Sequence, residues 1–146
     1  MKIELCTMDD IKEIRELWKQ GKPDLGIPFT SGLKKLIDSN RFFCTRNENG
    51  KIVSFCGYKI MKRNPEIRIC HLLVSIEERN KHIATEYIKH IIKETNHLNL
   101  PLVVHCRDGA DNNSFYEKYK LKNYTIITRD SGFRSRVYEL DKNKFK

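Results

Sequence analysis

The part of this chain best suited to chemistry is a short polar stretch, Arg79-Asn80-Lys81-His82-Ile83-Ala84, between two apolar segments. Before it, Leu72-Leu73-Val74 reads as the end of a strand. After it, Ile83, Tyr87, Ile88, Ile91 and Ile92 fall on one face of an amphipathic helix. A loop that runs straight from strand to helix exposes the first helical N–H groups, which have no intrahelical acceptors, and the positive end of the helix dipole. That is a seat for a phosphate or pyrophosphate, and Arg79 and Lys81 add charge beside it.

A second group of reactive types surrounds this stretch. Arg68, Cys70 and His71 lie on the strand before it, and His105 and Arg107 on the strand of β-formers that begins at Leu102. An unperturbed imidazole titrates near neutrality, so His71 and His105 are candidate proton carriers. Alternation counted from Cys70 puts His71 on the opposite face, which favours a core or supporting histidine. Cys6, Cys44, Cys56, Cys70 and Cys106 are odd in number, widely spaced, and form no Cys-x-x-Cys pair. They read as reduced, buried thiols of a reducing compartment, with no metal site.

The elements that must position these residues follow from period and punctuation. Lys2–Cys6 alternates as a strand, and Thr7 with Asp10 resembles a capping box before the helical face Ile11, Ile14, Leu17 and Trp18, closed by Gly21. A loop over Lys22–Pro28 and a short helix over Ser31–Ile37 come next. Arg41–Thr45, the turn Asn47-Glu48-Asn49-Gly50, and Ile52–Met61 form a hairpin, and Ile67–Ser75 is a third strand. The helix from Ile83 to about Leu98 leads to the strand Leu102–Cys106, a short helix over Asn112–Tyr119, and a final hairpin of Tyr124–Thr128 and Phe133–Leu140. Successive strands followed by a strand-helix-strand crossover imply a mixed sheet with helices on its faces.

With 146 residues the chain is expected to form one domain, residues 1–146, with a core that needs no disulfide or metal. No run approaches the roughly 18 apolar residues of a membrane span, and the N-terminus lacks a signal-peptide core. A soluble, cytoplasmic protein without a membrane partner is expected. The net charge of +9 is spread over the last two thirds rather than gathered in a tail. It is compatible with nucleic acid, an acidic ligand, or a merely solvated surface. The aromatics follow core periodicity and no RNA motif is present, so nucleic acid is the less favoured partner.

The strand end Leu72-Leu73-Val74 followed by Arg79-Asn80-Lys81-His82-Ile83-Ala84 resembles the signature of the GNAT superfamily of acyl-CoA-dependent N-acyltransferases, Arg/Gln-x-x-Gly-x-Gly/Ala. Asn112-Asn113-Ser114-Phe115-Tyr116-Glu117-Lys118-Tyr119-Lys120-Leu121 is similar to the family's Asn…Phe-Tyr-Glu-Lys-Leu-Gly-Phe segment. Two family glycines are replaced, by His82 and Lys120.

The resemblance implies an α/β (α+β) fold: a mostly antiparallel central sheet of about seven strands, flanked by about four helices. It implies an acetyltransferase that passes an acetyl group from acetyl-CoA to the primary amine of a small molecule or protein, by direct attack, in a monomer or homodimer. Backbone groups of Leu72 and Val74 would hold the pantetheine arm where the strand splays from its neighbour. Amides of Arg79, Asn80, Lys81, His82, Ile83, Ala84 and Thr85 would cradle the pyrophosphate, with Asn112 also on the cofactor. Tyr116 matches the tyrosine that protonates the departing thiolate. Family bases sit at positions corresponding to Arg68 and Cys70, but arginine stays protonated and a buried thiol titrates too high, so a water chain is the alternative. Arg68, Cys70, His105 and Arg107 are the candidate acceptor-side residues, the two arginines suiting a carboxylate or phosphate.

At His82 a Cβ crowds a bound pyrophosphate unless the residue is already helical, in which case the imidazole points outward without strain and is placed to donate to phosphate. The replaced glycines leave open a catalytically degenerate GNAT-fold module that binds CoA or a partner.

Overall fold

The structure is a computed structural model that describes residues 2–19, 30–79 and 81–146. The expected helix stop at Gly21, the Lys22–Pro28 loop and Asn80 lie outside the described residues.

The elements are β1 (Glu4–Leu5), α1 (Ile11–Trp18), α2 (Thr30–Asp38), β2 (Phe42–Arg46), β3 (Ile52–Met61), β4 (Glu66–Val74), α3 (Ile83–Thr95), β5 (Leu102–Arg107), α4 (Asn113–Tyr119), β6 (Thr125–Thr128) and β7 (Arg134–Glu139). The seven strands form one sheet in the order β1-β2-β3-β4-β5-β7-β6, and only the β4–β5 pair is parallel. This is the mixed α/β sheet expected, and every expected strand and helix among the described residues is present. The capping interaction is real: the Asp10 carboxylate accepts from the Thr7 backbone N–H at 2.8 Å. No helix among the described residues is long and apolar enough to cross a membrane.

Each face of the sheet carries its own core, as period-2 strands covered on both sides require. One face buries Ile67, Ile69, Leu102, Val104 and Tyr138 against Ile83, Tyr87, Ile88 and Ile91 of α3 and Tyr116 of α4. The other buries Phe42, Phe55 and Leu73 against Ile14, Leu17 and Trp18 of α1 and Leu33, Leu36 and Ile37 of α2. A buried hydroxyl chain crosses from β2 through β3 to α3: Thr45 Oγ1 to Ser54 Oγ, then Ser54 Oγ to Tyr87 OH at 2.7 Å. It ties the first turns of α3 to the sheet and so fixes where that helix begins.

The β3–β4 ladder contains one irregularity. Gly57 pairs with His71, but Tyr58 pairs with Ile69, which leaves Cys70 as the extra residue of a β-bulge. Gly57 is also required by packing. A Cβ there would stand 2.6 Å from Cδ2 of Phe42, a ring that is fully buried and has no room to retreat. Gly57→Ala is therefore expected to cost about 1–3 kcal/mol in urea denaturation. An unchanged midpoint would show that Phe42 yields more easily than its burial implies.

Candidate functional site

The parallel pair β4–β5 is joined through only three positions, Ile67 with Leu102, Arg68 with Val103, and Ile69 with Val104. Beyond them both strands continue, to Val74 and Arg107, without pairing. The separation begins at the bulged Cys70, since a bulge bends its strand away from the neighbour. The result is a gap inside the sheet, lined by Ile69, Cys70, His71, Leu72, Val104, His105, Cys106, Asn112 and Tyr116.

A cleft of about 550 Å3 lies alongside, against α3 and α4. Its walls are Leu72 and Val74 of β4, Glu78, Arg79 and His82 of the connecting loop, Ile83, Ala84 and Thr85 of α3, and Asp111, Phe115, Lys118 and Tyr119 around α4. The first backbone bond of α3 runs from Glu86 N–H to the His82 carbonyl, so the N–H groups of Ile83, Ala84 and Thr85 have no intrahelical acceptor. They belong to a 13-residue helix, whose dipole favours an anion at that end. Two side chains of the loop are already engaged. Arg79 donates Nε–H to the Val74 carbonyl at 3.1 Å, and Lys81 is paired with Glu78 at 2.8 Å and lies off the cleft.

His82 is not helical, contrary to the arrangement that would leave it unstrained. It precedes α3 in the left-handed region, with φ 60° and ψ 22°. Glycine enters that region freely, whereas an L-residue with a Cβ meets about 1–2 kcal/mol of resistance, histidine being among the more tolerant. The chain turns the same way with His82 as it would with glycine, at a cost in strain. Lys120 stands differently: φ −67° and ψ 143° are open to any residue, so no glycine is needed there.

Within the gap, Tyr116 is buried, and burial with Cys106 and Cys56 nearby pushes its phenol far above the usual value of about 10. His71 packs on the rings of Trp18, at 4.6 Å, and Phe42, at 6.2 Å. Burial, then Lys59, pushes its imidazole down to about 4. His71 is thus a core histidine, as expected, and it sits next to the bulged Cys70. His105 is likewise pushed down to about 4, first by burial, then by Arg68 and Arg129, with Glu66 opposing. The expectation that these two histidines titrate near neutrality is corrected: the low-dielectric sheet and neighbouring cations keep both uncharged. Burial raises the Cys70 thiol, so it is not a ready thiolate. All five cysteines are free thiols, as expected.

Residues 8–120 match the model of the acetyltransferase (GNAT) family. The chain belongs to that family. No curated protein matches it in sequence. Among solved structures, it is similar to Ard1 from Thermoplasma volcanium at 16% identity and a TM-score of 0.76, covering 95% of this chain and 96% of that one. It is similar to the PaiA N-acetyltransferase from Thermoplasma acidophilum, a complex with coenzyme A, at 15% identity and TM-score 0.67, covering 94% and 98%. N-acetylglutamate synthase from Neisseria gonorrhoeae, complexed with coenzyme A and N-acetyl-glutamate, aligns at 16% identity and TM-score 0.69. That match covers 96% of this chain but only 35% of the synthase chain. At these identities the likeness is one of fold.

Of the residues singled out in this GNAT chain, Leu72, Val74, Arg79, His82, Ile83, Ala84 and Thr85 line the cleft together. Asn112, Tyr116, Cys70 and His105 line the gap instead. Arg68 is held by Glu66 at 3.0 Å, and Arg107 lies over the Phe133 ring at 4.6 Å. Sequence reasoning missed Phe115, Lys118 and Tyr119, which reach the cleft from one face of α4; their helical spacing is the signal. It also missed Arg129, which carries no motif.

Two outcomes test this geometry. His82→Gly relieves the left-handed strain and is expected to raise Tm by about 2–4 °C, read by calorimetry. A lower Tm would mean that imidazole contacts outweigh the strain. For His71, the native ring is neutral down to about pH 4 while the unfolded ring takes a proton near its ordinary 6.5. The unfolded state then binds more protons, so stability falls as pH drops between those values, and His71→Gln flattens that slope in denaturation curves. An equal slope in the variant would assign it to other groups.

Proposed function

We propose that this chain is an acyl-CoA-dependent N-acyltransferase, moving an acetyl group from acetyl-CoA to a primary amine by direct attack. The observation that carries the reading is the gap where β4 leaves β5, with the Tyr116 phenol buried in it and the cleft at the α3 N-terminus opening beside it. The parts fit a nucleotide thioester. Unbonded strand edges suit an amide-bearing arm, and free helical N–H groups suit a pyrophosphate. Glu78 and Asp111 are the unfavourable charges in the cleft wall, the first neutralised by Lys81.

Acetyl-CoA, when bound, supplies the activated acyl carbon. Leu72 and Val74 orient the arm through their backbone groups, and the first turn of α3 holds the phosphates. Arg79, held through Nε on the Val74 carbonyl, adds its charge to the cleft wall beside the anion. The amine nitrogen forms a bond to the acyl carbon as the carbon–sulfur bond breaks. The Tyr116 phenol oxygen would give its proton to the leaving sulfur and regain one through water from the amine nitrogen, although burial makes the phenol a weaker acid. The ammonium proton leaves through water, because His71 and His105 are too weakly basic and Cys70 keeps its own proton. Five free thiols fit a reducing, cytoplasmic setting, and residues 1–146 are read as one domain.

A binding module without turnover is the second reading, favoured by the strained His82 and the low basicity of both histidines that line the gap. Release of free thiol from acetyl-CoA with an amine panel separates the two. Tyr116→Phe is expected to lower kcat about a hundredfold while leaving KM for acetyl-CoA nearly unchanged. Equal turnover would remove Tyr116 from the chemistry, and titration calorimetry showing no acetyl-CoA binding would remove the acyltransferase reading itself.

A further inference from the structure

The sheet face turned away from α3 and α4 gathers cations around the gap. Arg68 of β4 and Arg129 just after β6 both act on His105 of β5, and Arg107 stands two residues further along β5. Arg68 has its carboxylate, Glu66 at 3.0 Å. The other two have none among the described residues. Arg129 contacts the neutral Oγ of Ser135 through Nε, at 3.2 Å, and Nδ1 of His105 through a terminal nitrogen, at 2.9 Å. Arg107 lies over the face of Phe133, itself half exposed. Ser135 joins the pair, since it is also the register partner of Arg107 on β7.

The His105 contact defines the site further. A guanidinium only donates, so Nδ1 of His105 accepts and the ring proton stands on Nε2. His105 lines the gap together with Tyr116 and Cys70. Arg129 is therefore one hydrogen bond from the wall of the reaction space, and its remaining N–H groups have no acceptor among the described residues. Burial is the first cause of the depressed basicity of His105, and Arg68 and Arg129 add to it.

We propose that this face selects an acceptor amine that carries an anionic group, seated on Arg129 and Arg107 beside His105. This rests on the acyltransferase reading and deepens it. A planar guanidinium with free donors binds carboxylate or phosphate in the same way, so the shared chemistry is the anion and its geometry decides between them. A neutral amine leaves both guanidinium groups uncompensated near the gap, whereas an anionic one neutralises them and holds its nitrogen at a fixed distance from the acyl carbon.

The test uses the full chain loaded with acetyl-CoA and two matched pairs of probes: glycine against glycinamide, and phosphoethanolamine against ethanolamine. Thiol release and calorimetric binding to the CoA-loaded protein are both read. The charged member of at least one pair is expected to be preferred in kcat/KM or affinity by about 10- to 100-fold, and the pair that shows it identifies carboxylate or phosphate. Arg129→Ala is expected to abolish that preference, through KM rather than kcat, and Arg129→Lys to restore part of it. Arg63→Ala removes the same charge from the exposed β3–β4 turn and is expected to leave the preference intact. Far-UV circular dichroism confirms that each variant is folded. Neither pair showing a charge preference overturns the inference, and so does a preference that survives in Arg129→Ala. Titration of acetyl-CoA alone keeps the two readings apart. If acetyl-CoA binds and no charge preference appears, only the anion site fails; if acetyl-CoA does not bind, the acyltransferase reading fails as well.

Discussion

The gap at the centre of this fold depends on how briefly two parallel strands stay together. β4 and β5 pair over three positions and then part, so backbone groups that would complete a ladder are left facing a gap in the middle of a sheet. Unpaired backbone within a protein interior is costly unless something supplies the missing partners. The bulge at Cys70 sets the point of departure, because the inserted residue turns β4 just past its last pair with β5. Gly57, opposite His71 at that bulge, allows Phe42 to pack against bare backbone and keeps the bent strand covered. The bent strand is thus covered on the far side of the sheet by the core shared with α1 and α2.

The turn into α3 shows a second constraint of the same kind. For free N–H groups to converge at the start of a helix, the residue before it must reverse the chain, and here it does so in left-handed geometry at His82. Tyr87, bonded to Ser54, and Ile83, Ile88 and Ile91, buried in the sheet core, hold the helix in place from one side. The strain at His82 is balanced by that packing, which is why the turn survives the loss of its customary glycine. Lys120 needed no such compensation, because its backbone is extended.

The sequence was legible where local rules act alone. Strand and helix periods, the Asn-Gly turn at 49–50, the thiols without partners and the strand-to-helix loop at 79–84 could all be read from neighbouring residues. So could much of the cleft wall, since Leu72, Val74, Arg79 and residues 82–85 fall within one strand-to-helix stretch of the chain. What escaped depends on contacts between distant segments. The low basicity of His71 and His105 comes from burial and from cations on other strands. Arg129 is an ordinary residue of a hairpin until β7 brings it beside His105. The bulge at Cys70 escaped for a related cause, since it shifts the register and leaves no mark in composition, although the core position expected for His71 holds.

The two faces of the sheet divide the work, and the gap is where they meet. On one face lie the cleft, the α3 N-terminus and the buried Tyr116, all suited to a phosphorylated thioester and its leaving sulfur. On the other lie His105 and the arginines, suited to whatever must be brought to it. In the direct transfer proposed above, donor and acceptor would approach from the two faces, with no covalent relay on the protein. A continuous sheet would forbid that approach, since its backbone would stand between them. The neutral histidines fit the same arrangement: beside several arginines, a further positive charge at the gap would hold back an incoming ammonium group, and burial prevents it. The basic balance of the chain has a local meaning here, because the cations proposed to seat an anionic acceptor also help burial keep the nearest imidazole from becoming a cation itself.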